Sequence, residues 1–397
     1  MYYFEKAMIC LKQKNRPEYI LNILEGINNN EVYSYYLAYL VPLDIDMKEF
    51  EELVLKNDDM SYAVQGKQMI MKGRTAEGIE LLKKSNTGIA KYNLYIYYIE
   101  NDDIHNAKQY LNEALDYDFP LAYYEYVNDL RFNGDLTRFE LNGEKFINAC
   151  KKGIEFGFVE AYYALAKLYT EGYYLEKDIT KAIKLYEALP DSEYSYRNIH
   201  LIKSYYEIKD YDKVYDLCVD YINSNEFNKS TAIHYLSLIY ENKNYKNYDL
   251  IKSLILKKSL LNPHNSERHL IEIANIYYKE LNDNNMAIKY VKLFNKLVEN
   301  NDTCISLFED YEEMIYELEN LDFIEPKKIS ISKVHNKENY ELIVKGFLSD
   351  QKDCFKELAS YYDEGIIVEK DIVISRILYD FSKISNICFK GLIHWQH

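Results

Sequence analysis

Apolar residues recur along this chain at the three-and-four spacing of amphipathic helices. The clearest stretch is EAYYALAKLYTEGYYLEKDITKAIKLYEAL, from Glu160 to Leu189. Its first half places Ala161, Leu165, Leu168 and Tyr169 on one helical face. Gly172 ends that helix, and Asp178 is positioned to cap a second one with Ala182, Leu185, Tyr186 and Leu189 on its apolar face. Two amphipathic helices joined by a loop form an antiparallel hairpin.

The half-pattern repeats: a residue near the helix start is followed by apolar ones four and eight positions later. The first-helix series reads Val32/Tyr36/Leu40, Ala90/Leu94/Tyr98, Ala122/Tyr126/Leu130 and Ala161/Leu165/Tyr169. It continues through Asn198/Ile202/Tyr206, Ala232/Leu236/Tyr240, Leu270/Ala274/Tyr278 and Cys354/Leu358/Tyr362. Degenerate copies lie near Ala63 and Cys304, and second helices follow in register. A spacing of roughly 30 to 40 residues is that of helix-pair repeats. One pair cannot bury its apolar face alone, so the units must stack. The predicted fold is an all-α, right-handed α-solenoid of about ten antiparallel helix hairpins.

Residues 157–189 resemble the Sel-one-like repeat, a longer-looped relative of the tetratricopeptide repeat. The matching positions are Gly157, Ala161, Leu165, Ala166, Tyr169, Gly172, Asp178, Lys181, Ala182, Tyr186 and Ala188. A second copy repeats the hinge: Glu171-Gly172 and Glu176-Lys177-Asp178 answer Glu364-Gly365 and Glu369-Lys370-Asp371. Units 198–221 and 270–297 have shorter loops and look like ordinary tetratricopeptide repeats. After Pro326, residues 327–339 carry no helical apolar face. The expected organisation is a repeat solenoid over 1–325, a linker or irregular loop over 326–339, and a C-terminal repeat with its tail over 340–397.

Composition narrows the function classes. The formal charge is −16, from 48 Lys+Arg against 64 Asp+Glu, which disfavours a nucleic-acid partner. No apolar run is long enough to span a membrane, and the N-terminus lacks the pattern of a signal or transit peptide. Six cysteines stand singly, without metal-ligand or disulfide-framework spacing, which points to a reducing, cytoplasmic setting. Tyr is abundant, with 43 copies, and codon bias accounts for such an excess.

Signatures of catalysis are missing: no P-loop, GxGxxG, HExxH, GxSxG or kinase motif occurs. Asp44-Ile45-Asp46 opens like a calcium loop, but Glu49 and Leu55 stand where that loop needs Gly and Glu. His264 and His269, five apart, do not share a helical face and read as a loop leading into a helix; His394 and His397 lie on the tail. The run Glu309, Asp310, Glu312, Glu313, Glu317, Glu319, Asp322 and Glu325 reads as a solvated face, whose candidate role is attracting a basic partner. No catalytic, cofactor or metal residue is nominated.

The expected function is a non-catalytic protein- or peptide-interaction scaffold working through a concave groove of first helices. The alternative is a regulatory peptide sensor, or an adaptor arm controlling a separately encoded enzyme. The family register, transferred to this chain, implies two groove rows. One is Tyr92, Tyr124, Tyr163, His200, His234 and Glu272; the other is Ile96, Asn128, Lys167, Ser204, Leu238 and Ile276. The tyrosines either line that groove as aromatic anchors or pack between neighbouring hairpins.

Overall fold

The computed structural model describes residues 2–13, 18–19, 22–23, 25–26, 34, 59–119, 122–123, 125–127, 143–155, 158–226, 228–262, 266–300 and 305–384. Among these residues the regular structure is entirely helical, with no strand. The chain divides into two compact units, Met1–Ser192 and Glu193–His397. That division lies well before the Pro326 linker to which the sequence pattern assigns the break.

In the first unit the helices are α1 (Tyr2–Lys12), α2 (Asp59–Met71), α3 (Thr75–Lys84), α4 (Gly88–Glu100), α5 (Ile104–Asp116), α6 (Gly143–Glu155), α7 (Val159–Glu171) and α8 (Ile179–Glu187). The second unit holds α9 (Tyr194–Glu207), α10 (Tyr211–Asn223), α11 (Ser230–Glu241), α12 (Leu250–Ser259), α13 (Glu267–Asn275) and α14 (Asn284–Asn300). It continues with α15 (Glu312–Leu318), α16 (Lys337–Leu348), α17 (Asp353–Glu364) and α18 (Ile372–Ile384). Successive helices pair as hairpins: α2 with α3, α4 with α5, α7 with α8, α9 with α10, α11 with α12, α13 with α14, and α17 with α18. Stacked antiparallel hairpins are the architecture that the periodicity predicts. The anchor positions Ala90, Leu94, Ala161, Leu165, Ile202, Ala232, Leu236, Leu270, Ala274, Cys354 and Leu358 are all buried.

One device closes six of these hairpins. The backbone N–H of an Asp that caps the second helix donates to the carbonyl of a Tyr in or just beyond the last turn of the first. The pairs are Asp103 to Tyr98, Asp178 to Tyr169, Asp210 to Tyr205, Asp249 to Tyr240, Asp283 to Tyr277 and Asp371 to Tyr362, all at 2.9–3.0 Å. Each Asp carboxylate then accepts from an N–H in the first turn of its own helix, as in Asn106, Lys181, Lys213, Lys252, Met286 and Ile374. One aspartate thus satisfies orphan groups at both helix ends.

Loop length varies around this constant contact. In the short loops the residue before the capping Asp takes a left-handed conformation: Asp102, Lys209 and Asn282 have φ of 58, 63 and 51°. The loops after α7 and α17 turn instead at Gly172 and Gly365, with φ of 75 and 71°, where a side chain would be strained. Tyr174 and Ile367, two residues on, are left-handed as well, so the two glycine hinges match in backbone as well as sequence. After α13 the chain widens into a π turn over Ile276–Glu280, and Tyr277 stands six residues before its Asp instead of five.

Each unit has its own core. In the first, Phe4, Leu94, Phe119, Phe146 and Phe158 are buried together. In the second, α18 does not simply extend the array: it packs against α12 and α10, the second helices of two earlier hairpins. Lys252 and Asp371 form an ion pair of 2.8 Å across that contact, and Arg376 donates to Asn223. With α11 on one side and α18 on the other, α12 is covered all round, and six consecutive residues, Ser253 to Lys258, are buried. Residues 322–330 carry no regular secondary structure and are pinned by reciprocal bonds between Asn285 and Ile324 and between Gln351 and the backbone at 327 and 329.

Two adjacent lysines of α12 therefore need partners inside the protein. The Lys258 ammonium, fully buried, meets the Asp350 carboxylate at 2.6 Å and the face of the Phe347 ring. Lys289 reaches the other Asp350 oxygen at 2.8 Å, and the Tyr290 hydroxyl donates to the same carboxylate. Tyr277 donates to the Leu348 carbonyl at 2.6 Å. Burial alone would raise the Asp350 carboxyl, but the two lysines outweigh it and hold the group below its usual range. This cluster joins α12, α14 and the turn between α16 and α17.

Two outcomes follow. Asp210→Ala removes a cap and should lower stability by about 1 kcal/mol in denaturant titration; no shift would mean that water replaces the cap without loss. Asp350→Asn leaves buried Lys258 and half-buried Lys289 without their counter-charge and should cost roughly 3–5 kcal/mol. A loss below about 1 kcal/mol would show that the lysines find other partners.

Candidate functional site on the first-helix row of the second unit

The hairpin register puts α9, α11 and α13 at equivalent places in three successive repeats, with α9 directly against α11. From them come His200, His234 and Glu272, half of one predicted row. His234 on α11 meets His269 on α13, with ring centroids 5.4 Å apart. Tyr206 on α9 and Tyr235 on α11 meet edge to face at 5.1 Å, so aromatic contacts link all three helices. A 3-10 segment, Ile305–Tyr311, packs on α13.

Glu272 lies at the centre of an ion-pair cluster. Its Oε2 accepts from Lys257 Nζ at 2.5 Å and its Oε1 from Arg268 Nε at 2.9 Å. Lys257, fully buried, also reaches Glu241 Oε1 at 3.1 Å, and that carboxylate accepts from Ser253 as well. Two cations and two carboxylates balance. Burial by itself would raise the Glu272 carboxyl; the nearby His269 ring, Lys257 and Arg268 outweigh it and hold the group well below the usual carboxylate range. Burial pushes His234 down to about 4, so its ring is neutral near pH 7. The buried Nδ1 atoms of His234 and His269 make no hydrogen bond; His269 Nδ1 stands 3.7 Å from Glu272 Oε2.

The rest of the predicted rows is distributed differently. Tyr163 is 7% exposed and packs on the Tyr186 ring 6.0 Å away, so it belongs to the hairpin core and corrects the expectation of an open aromatic row. Tyr92 is half-buried, bonded to Glu125 and set against Phe119 and Tyr95. Ile96 packs on the same core. Ser204 and Ile276 are buried, Leu238 is half-buried, and Lys167 pairs loosely with Glu171 at 3.8 Å. Tyr124 and Asn128 lie outside the described residues, as do the 44–46 segment, His264, Cys304, Cys388 and the tail. The thiols of Cys10, Cys150, Cys218 and Cys354 are buried and free.

His269 stands inside α13 rather than in a loop before it, and its ring lies beside that of His234. Sequence reasoning missed His269, Arg268 and Lys257 as members of the site. The usable signals were the His269/Glu272 spacing of one helical turn and the adjacent Lys257 and Lys258 that follow the apolar run Leu254-Ile255-Leu256. The acidic run behaves as expected: its members are exposed while Met314, Ile315 and Leu318 anchor α15.

The stacked hairpins define the class, an all-α helical-repeat protein. Among solved structures the chain is similar to a protective antigen present in uropathogenic Escherichia coli strains and displaying an SLR fold. That likeness has 12% identity, covers 94% of this chain and 81% of the antigen, and has a TM-score of 0.45. No family model matches the chain, and no curated protein does. No described helix is long and apolar enough to cross a membrane.

Tyr163→Ala should cost about 3–5 kcal/mol of stability, the scale of deleting a buried aromatic ring. An unchanged unfolding midpoint would return Tyr163 to the surface.

Proposed function

We propose that this protein is a non-catalytic scaffold whose second unit binds a basic segment of a protein partner along the first-helix row. The observation that carries this reading is the polar cluster that α11 and α13 build together, with His234 against His269 and Arg268 paired with Glu272. Tyr311 has Glu272 and Arg268 as electrostatic neighbours, which connects the cluster with the acidic stretch beginning at Glu309. That stretch is exposed and carries no Lys or Arg between Glu309 and Glu325. Such a field raises the encounter rate of a cationic partner and rejects anionic ones. A scaffold role also fits the carboxylates of the site. A general acid needs a raised pKa, whereas Glu272 is held low by its cations.

The test uses synthetic peptides of matched length and opposite charge, titrated against the full chain. Cationic peptides should bind, and affinity should fall as salt rises. Glu312→Lys with Glu313→Lys, both at exposed positions, should weaken binding about tenfold without moving the unfolding midpoint, a loss of ~1.4 kcal/mol. Equal binding of anionic and cationic peptides, or indifference to this charge reversal, would refute the proposal.

A further inference from the structure

We propose that His234, His269 and Glu272 form a binding site for a divalent transition-metal ion of the zinc class. This inference does not rest on the peptide reading. Among the described residues, these three offer one ligand atom each within 4.8 Å of one another, from two helices of successive hairpins. His269 and Glu272 are one turn apart on α13, and His234 reaches them from α11.

The chemistry of the donors selects the ion. Two imidazoles and a carboxylate suit zinc and its neighbours, whereas calcium and magnesium demand oxygen ligands. The Nδ1 atoms of both rings are buried and make no hydrogen bond. Buried acceptors or donors left unsatisfied are costly, and coordination removes that cost. Bonds of about 2.0–2.2 Å require the ligand atoms to draw closer by about 1 Å, a movement within reach of side-chain torsions.

The competitor is Lys257, which holds Glu272 Oε2 at 2.5 Å. Its second carboxylate, Glu241 at 3.1 Å, retains the ammonium when Glu272 turns toward the metal. Arg268, whose side chain is 69% exposed, is free to turn into solvent. Three protein ligands leave a fourth position for water, and the bound ion would cross-link the α11 and α13 hairpins.

The experiment is zinc titration of the full chain by equilibrium dialysis, with the absorption spectrum of cobalt(II) as a second readout. His394→Asn and His397→Asn remove the tail imidazoles from the background. One equivalent of zinc should bind, raise the unfolding midpoint, and give cobalt the intense visible bands of a four-coordinate site. His234→Gln and His269→Gln, each confirmed as helical by circular dichroism, should weaken binding at least about tenfold. Arg268→Gln frees one oxygen of Glu272 from an exposed position and should tighten it. No retained zinc overturns the proposal. Zinc binding indifferent to both His substitutions would identify an adventitious ion only and overturns it equally.

Discussion

A single backbone hydrogen bond, from the capping aspartate of one helix to a tyrosine carbonyl at the end of its partner, sets the geometry of six of the described hairpins. It recurs in six hairpins while the chain between the two residues ranges from short turns to the longer Sel-one-like loops. The constraint is one of polar accounting: a helix end leaves carbonyls and N–H groups without partners, and burying them between hairpins costs free energy. Because the aspartate supplies a donor to one helix and an acceptor to the next, loops can change length without moving the helices. The left-handed residue shifts with the loop, from the position before the aspartate to a glycine after the first helix.

The second unit adds a constraint that hairpin stacking alone does not impose. Its last helix returns to cover α12, and the covered helix carries adjacent lysines that point to different sides. Lys258 faces the returning segment and is neutralised by Asp350, while Lys257 faces the first-helix row and is neutralised by Glu272 and Glu241. Successive residues on a helix point about 100° apart, so neighbouring lysines serve two separate clusters. The candidate site is thus coupled through one helix to the contact that holds the C-terminal repeat in place. Buried ion pairs of this kind are weak sources of net stability, but each becomes costly when a partner is removed. They set which segments pack together more than how tightly.

The Glu272 cluster also limits what the row can do. Glu272 is held low by its cations, which makes it unsuited to donate a proton. The His234 ring, driven neutral by burial, stands beside it as a donor that an ion-pair cluster by itself lacks. In the two proposals, charge recognition rests on the exposed acidic stretch from Glu309 to Glu325, and coordination on His234, His269 and Glu272. The first depends on long-range field and the second on contact geometry.

The sequence by itself determined the helical class, the repeat spacing, the buried anchors and the two glycine hinges. These are properties of local periodicity and of backbone conformations open to few residue types. Gly172 and Gly365 were legible because only glycine takes their dihedrals without strain, and Leu165 because its face repeats every turn. The first-helix periodicity assigned His200, His234 and Glu272 to one row, and they fall on α9, α11 and α13. Tertiary structure decided what periodicity does not encode: that Tyr163 turns into the core, that α18 folds back over α12, and that His269 meets His234. Each depends on contacts between residues far apart in the chain, where side-chain spacing carries no information about which helix lies opposite. Lysines 257 and 258 make the point most plainly. In sequence they follow a short apolar run, Leu254 to Leu256; in the structure they are buried because carboxylates on other elements, Glu272 and Asp350, neutralise them.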